Sequence, residues 1–123
     1  MIEIRKTEIF AKWLDGLNDI RARARVLART ERLTAGNPGD VAPVGEGVSE
    51  LRIDYGPGYR VYYKQFGEFL VILLAGGDKQ TQTKDIKTAS VEKDVISYRN
   101  VFRKRITLVE FSHDRQCGHC QHF

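Results

Sequence analysis

The sequence predicts an α+β domain in which two helices precede a set of antiparallel strands. Three observations carry this. Apolar residues recur at helical spacing through the first third of the chain, and after residue 50 the period drops to two. The run 69–75, Phe-Leu-Val-Ile-Leu-Leu-Ala, is apolar without interruption. It is too short to cross a bilayer, which takes ~20 such residues. It reads instead as a central strand covered on both faces. A chain of 123 residues has room for one full core.

The elements follow in order. Ile2 and Ile4 alternate with Glu3 and Arg5, a short strand. Thr7 is placed to cap a helix, its hydroxyl accepting an orphan backbone N–H. Phe10, Trp13, Leu14 and Leu17 then form one apolar stripe, and Gly16 and Asn18 mark its end. A second helix runs from Asn18 or Asp19 to about Ala35, with Ile20, Ala24, Leu27 and Ala28 as its core face. Gly36 ends it, and Asn37-Pro38-Gly39 forbids continuation. Residues 37–47 read as a loop. Strands at 50–55 and 59–64 flank the turn Gly56-Pro57-Gly58, and Phe66-Gly67-Glu68 makes the next turn. Gly76-Gly77 breaks the central strand, and a short helix covers 83–89. The domain so read spans 1–89. Residues 90–123 form an atypical extension, in which Val91, Val95 and Ile96 can prolong the helix and Ile106, Leu108, Val109 and Phe111 can form a strand.

Chemistry concentrates on the first hairpin. With Tyr55 opposite Tyr59, Asp54 faces Arg60, Arg52 faces Tyr62 and Glu50 faces Lys64. These six side chains share one sheet face, while Leu51, Ile53, Val61 and the two tyrosines pack on the helices. The polar face is either a solvated sheet surface or an anion site, since Arg presents a rigid fork of donors suited to phosphate. The polar stretch 78–85 leaves the end of a buried strand, a usual position for binding residues or simply a connector. Arg21, Arg25, Arg29 and Arg32 make a basic stripe on the second helix. It suits a nucleic-acid backbone, an acidic partner or plain solvent. Lys and Arg exceed Asp and Glu by 20 to 16, a modest excess that permits an anionic partner without demanding one.

Some classes are excluded. No histidine precedes His113, so acid–base chemistry in the main domain rests on Lys, Arg, Tyr, Asp and Glu. No phosphate-binding glycine loop or nucleophile elbow occurs. No carboxylate cluster there has metal-site spacing. The opening Met-Ile-Glu-Ile-Arg-Lys has no apolar segment behind its charges, which points to a cytoplasmic protein without a membrane partner. The tail gathers His113, Cys117, His119, Cys120 and His122; a redox pair, a zinc site and an accidental cluster all remain open for it.

Several segments in order carry a resemblance. They are Ile4-Arg-Lys-Thr7, Phe10-Ala-Lys-Trp-Leu14, Val48-Ser-Glu-Leu-Arg-Ile-Asp-Tyr55, Tyr59-Arg-Val-Tyr-Tyr-Lys64, Leu73-Leu-Ala-Gly-Gly-Asp-Lys79 and Thr83-Lys-Asp-Ile-Lys-Thr-Ala89. Residues 1–89 thereby resemble the RelE/HigB-like toxins of bacterial toxin–antitoxin modules, and within them the phage-derived addiction module killer proteins. The resemblance implies a RelE/ParE-like fold, two N-terminal helices on one side of a twisted antiparallel sheet with a C-terminal helix or tail. It implies a ribosome-dependent mRNA endonuclease needing no metal or cofactor, which makes the RNA's own 2′-hydroxyl attack the adjacent phosphate. By position, Arg52 and Arg60 become the phosphate-binding pair, Lys79 and Lys84 the basic loop residues, and Tyr62 or Asp85 a participant in proton transfer. Lys64, Arg21, Arg25, Arg29 and Arg32 become the RNA- or ribosome-facing cations. The implied partners are a cognate antitoxin of the helix-turn-helix, HigA-like type, the ribosome with its message, and operator DNA through the antitoxin complex. The alternative is a non-enzymatic module: a ParE-like toxin directed at gyrase, or a degenerate toxin that binds only antitoxin or operator.

Overall fold

The computed structural model describes residues 2–101 and 108–110. The elements are β1 (Glu3–Thr7), α1 (Glu8–Asp15), α2 (Ile20–Glu31), β2 (Val41–Gly45), β3 (Val48–Ile53), β4 (Tyr59–Phe66), β5 (Leu70–Asp78), α3 (Gln82–Val101) and β6 (Leu108–Glu110). Single 3₁₀ turns follow α2 (Arg32–Ala35) and precede α3 (Lys79–Thr81). The α+β class read from the sequence is the class observed. The sheet order is β2-β3-β4-β5-β1-β6. It is mixed rather than purely antiparallel, because β1 runs parallel to β5 while the other neighbours are antiparallel.

Thr7 joins strand to helix. Its hydroxyl accepts from the Phe10 N–H at 3.1 Å and donates to the Leu74 carbonyl at 2.9 Å, so the start of α1 is pinned to β5. α1 buries Phe10 and Leu14 and leans Trp13 against the Phe10 and Tyr59 rings, at centroid distances of 5.6 and 6.2 Å. Each fully buried large side chain of this kind contributes ~1.5–3 kcal/mol.

α2 is capped by Asp19, whose carboxylate accepts from the N–H groups of Arg21 and Ala22. Its buried residues are Ala22, Val26 and Thr30, followed by Leu33. The stripe expected to face the core points outward instead: Ile20 is 75% exposed and Leu27 38%. The reason is Thr30, polar by type but fully buried, because its hydroxyl is satisfied by donation to the Leu27 carbonyl at 3.0 Å. Counting Thr30 as polar shifts the apparent stripe to the wrong side.

Two further expectations are corrected. Residues 37–47 are not all loop, since β2 forms the outer edge of the sheet. Pro43 fits there because an edge strand has one side with no ladder bond to donate. Gly76 and Gly77 do not end the central strand, which continues to Asp78. They are small because neighbours close in from both faces. A Cβ on Gly76 would run into the Trp13 indole, and one on Gly77 into the Asp85 carboxylate and the Thr81 hydroxyl.

The first hairpin has a wider loop than expected. Arg52 pairs with Arg60, Glu50 with Tyr62, Leu51 with Val61 and Ile53 with Tyr59, leaving 54–58 as the connection. A Gly58 N–H to Tyr55 carbonyl bond of 3.1 Å closes it, and Gly56 and Gly58 take φ of +58° and +85°. The register differs from the expected one by two positions, so every side chain keeps its face while its partner changes.

The sheet is covered on both sides. One face carries Leu51, Ile53, Val61, Val71 and Leu73 against Phe10, Leu14 and Val26. The other carries Val48, Tyr62, Ile72 and Leu74 against Ala89 and Ile96 of α3. Helices therefore do not all lie on one side. The boundary drawn at 89/90 falls inside α3, whose Val91 and Val95 are exposed and whose Ile96 is buried. Leu108 and Val109 lie in β6. Ile106, Phe111 and the cluster of His113, Cys117, His119, Cys120 and His122 lie outside the described residues.

Gly76→Ala is expected to lower stability by ~1–3 kcal/mol, the usual cost of forcing extra volume into a packed site. Urea unfolding checks it: the midpoint falls with the slope unchanged. An unaltered midpoint would refute the close approach of Trp13.

Candidate functional site

The hairpin and the turn before α3 enclose a cleft of about 290 Å³, lined by Asp40, Arg52, Ile53, Asp54, Gly56, Pro57, Gly58, Arg60 and Lys79. Three of the cations singled out in the sequence, Arg52, Arg60 and Lys79, thus share one concavity. β3 and β4 supply the arginines directly opposite each other. Lys79 comes from the turn capped by Asp78, whose carboxylate accepts from Gln80 and Thr81 N–H. The Lys79 stem lies close over Gly58, where a Cβ would collide with it.

Beneath the arginines sits Glu50, fully buried. Its Oε1 accepts from Arg52 Nε at 3.1 Å. Its Oε2 accepts from the Tyr62 hydroxyl at 3.0 Å and from Gln82 Nε2 at 2.6 Å, and lies 3.6 Å from Arg60 Nε. Burial by itself raises a carboxyl pKa. Here the donors Gln82, Arg52 and Tyr62 and the charge of Arg60 outweigh it and hold Glu50 below its ordinary 4.5. Tyr62 moves the other way: burial first, then its bond to Glu50, push the phenol up, so it stays protonated. The Arg60 side chain is only 13% exposed and its Nη1 makes long bonds of 3.4 Å to the Gly58 and Tyr59 carbonyls.

The other candidate residues are placed elsewhere. Tyr62 is buried under α3 and does not line the cleft. Asp85 is buried against Gly77, where it accepts from the Thr81 hydroxyl, and also lies outside the cleft lining. Lys84 is exposed on the first turn of α3. Lys64 lies beyond the cleft on β4, its Nζ 5.3 Å from the Phe66 ring centre.

The arginine stripe of α2 divides in two. Arg29 donates to the carbonyls of Arg52, Pro38 (2.9 Å) and Asp40 (3.3 Å), and Arg25 stacks 4.6 Å over the Tyr55 ring. These two tie the helix to the hairpin. Arg21 and Arg32 are exposed. Sequence reading put Asp54 on the polar face beside Arg60 but missed Glu50 as an anchor, Gln82 as its donor, and Asp40 as the second carboxylate of the cleft. The Glu-Leu-Arg spacing, which puts Glu50 and Arg52 on one face, was the available signal for the first; none marked Gln82 or Asp40.

Residues 12–100 match the family model described as "Phage derived protein Gp49-like (DUF891)", a span that includes every residue lining the cleft. The chain belongs to the Gp49-like family. An uncharacterized protein of Haemophilus influenzae is 53% identical over 90 residues, covering 73% of this chain and 91% of that relative. No helix among the described residues is long and apolar enough to cross a membrane.

In this Gp49-like chain the lowered pKa of Glu50 links the site to acid stability. A depressed carboxyl contributes stability above its unfolded value, and that contribution is lost as pH falls through the folded one. Glu50→Gln is therefore expected to be less stable than wild type at neutral pH, with the gap closing below about 4.5. Urea midpoints across the acid limb check this. A gap that persists to the lowest pH would mean that the charge of Glu50 is not what matters.

Proposed function

We propose that this protein is the toxin of a toxin–antitoxin pair and cuts ribosome-bound mRNA at the cleft of Arg52, Arg60 and Lys79. The Gp49-like family is phage-derived and toxin-like, which supports the toxin role. The observation that carries the nuclease reading is the convergence of these three cations on one concavity with two carboxylates, Asp40 and Asp54, in its wall.

The chemistry proposed is in-line attack of the 2′-oxygen on the adjacent phosphorus. The P–O5′ bond breaks, leaving a 2′,3′-cyclic phosphate and a 5′-hydroxyl. Arg52 and Arg60 hold the non-bridging oxygens and stabilise the charge that grows on them. Asp40 or Asp54 takes the 2′-proton, and the Lys79 ammonium supplies one to the departing 5′-oxygen. Lys84, Arg21 and Arg32 are the exposed cations offered to flanking RNA on the ribosome. The exposed Ile20 and Leu27 of α2 beside those arginines suit an antitoxin segment that is acidic and amphipathic.

Expression without antitoxin, followed by primer extension on cellular messages, tests the reading. Wild type is expected to arrest growth and cut within translated codons. Arg60→Ala is expected to lose cleavage ~10²–10³-fold, as when a preplaced donor is removed, and to keep its fold. Full growth arrest by that folded variant would overturn the site. Arrested growth with intact messages would move the target to gyrase or another protein.

The two halves of the arginine stripe are expected to behave differently. Arg21→Ala should reduce the salt dependence of RNA binding by about 0.7 in the log–log slope, one single-strand phosphate contact. Arg29→Ala should remove the side-chain donor to the Arg52, Pro38 and Asp40 carbonyls, the last of which keeps the Arg52 N–H, and cost ~0.5–1.5 kcal/mol of stability. Filter binding over a salt series and urea unfolding separate the two, and a reversed pattern would contradict this division.

A further inference from the structure

We infer that Glu50 is the positioning residue of the cleft, a buried carboxylate that aims both arginines at one shared phosphate. The inference rests on the endonuclease reading above and assigns a role to a residue that touches no substrate.

Arg52 and Arg60 are direct register partners across β3 and β4. Two like charges so placed repel, and on an open sheet they would swing apart into water. Glu50 prevents this by dividing its oxygens between them. Oε1 binds Arg52 Nε at 3.1 Å, and Oε2 stands 3.6 Å from Arg60 Nε. Arg52 meets Glu50 through Nε, which leaves its Nη edge for a second anion. Arg60 is held by the charge of Glu50 and by the Gly58 and Tyr59 carbonyls, to which its Nη1 donates at 3.4 Å. Glu50 is itself immobilised from behind by Tyr62 and Gln82, one from β4 and one from α3. The order of contacts runs from α3 and the sheet core to Glu50, from Glu50 to the two guanidinia, and from those to the cleft. Donors held in this way need not reorganise when charge develops in the transition state.

Neutralising Glu50 has a consequence that loss of fold does not. The cleft becomes more positive, so a phosphate is held as well as before or better. The guanidinia lose their common orientation, so turnover falls. Binding and chemistry move in opposite directions.

The test uses the full chain as wild type, Glu50→Gln and Tyr62→Phe. Tyr62→Phe keeps the buried ring and removes only one donor to Glu50, so it serves if Glu50→Gln does not fold. Cleavage is followed on ribosomes programmed with a defined message, and inorganic phosphate is titrated while the Arg Nε–Hε NMR signals are observed. The expected result for Glu50→Gln is a kcat lower by ~10²-fold, the scale of a misplaced catalytic group. KM should be unchanged and phosphate affinity equal or tighter. Tyr62→Phe should lower kcat a few-fold in the same pattern. In wild type, phosphate should shift the Arg52 and Arg60 signals together with one Kd; in Glu50→Gln the two should separate. A folded variant with wild-type kcat, or phosphate affinity falling in step with kcat, would overturn the inference. If wild type cuts no message, the endonuclease reading fails, and the coupled or uncoupled arginine signals still decide whether Glu50 aims the pair.

Discussion

A carboxylate with no water around it needs donors, and Glu50 sets that requirement at the centre of this protein. Removing one partner of such a buried pair typically costs ~3–5 kcal/mol, because a charge is left without compensation. The structure meets the need from three elements at once. β3 brings Arg52 two residues along the same face, β4 brings Tyr62 and Arg60 across the ladder, and α3 brings Gln82 over the top. The docking of α3 and the shape of the cleft are therefore one problem with one solution.

That docking depends in turn on β5. Two consecutive glycines, facing opposite ways, let Trp13 approach from one side and Asp85 from the other. Asp85 receives the Thr81 hydroxyl and so holds the turn from which Lys79 projects. Asp85, read from sequence as a candidate proton carrier, supports a neighbouring cation in this way. The family match, which runs to residue 100, takes in all of α3 up to that point and agrees with a domain in which this helix is part of the core.

The faces of the first hairpin were legible because alternation survives a register error of two. Arg52 and Arg60 fall on one side whether the loop has three residues or five, and so does Glu50. Which side chain opposes which was not legible, since that depends on how the Gly-Pro-Gly loop closes. The buried face of α2 was misread because Thr30 hides its hydroxyl on the helix's own backbone. β2 was missed because an edge strand need not look like a strand: its Pro43 breaks the usual signal without breaking the pairing. That Tyr62 and Asp85 are buried outside the cleft lining was not legible, because sequence shows a side chain's chemistry and not its burial.

From the sequence alone came the α+β class, the Thr7 cap, the hairpin's two faces, and Arg52, Arg60 and Lys79 as candidate site residues. These follow from local rules, spacing along a helix or strand and the chemistry of each side chain. Only the tertiary structure decided that the three cations meet in one cleft, that Asp40 joins them, and that Glu50 lies buried beneath. Those facts turn on contacts between residues tens of positions apart, such as Glu50 with Gln82, where burial and the count of donors around an atom are set by packing.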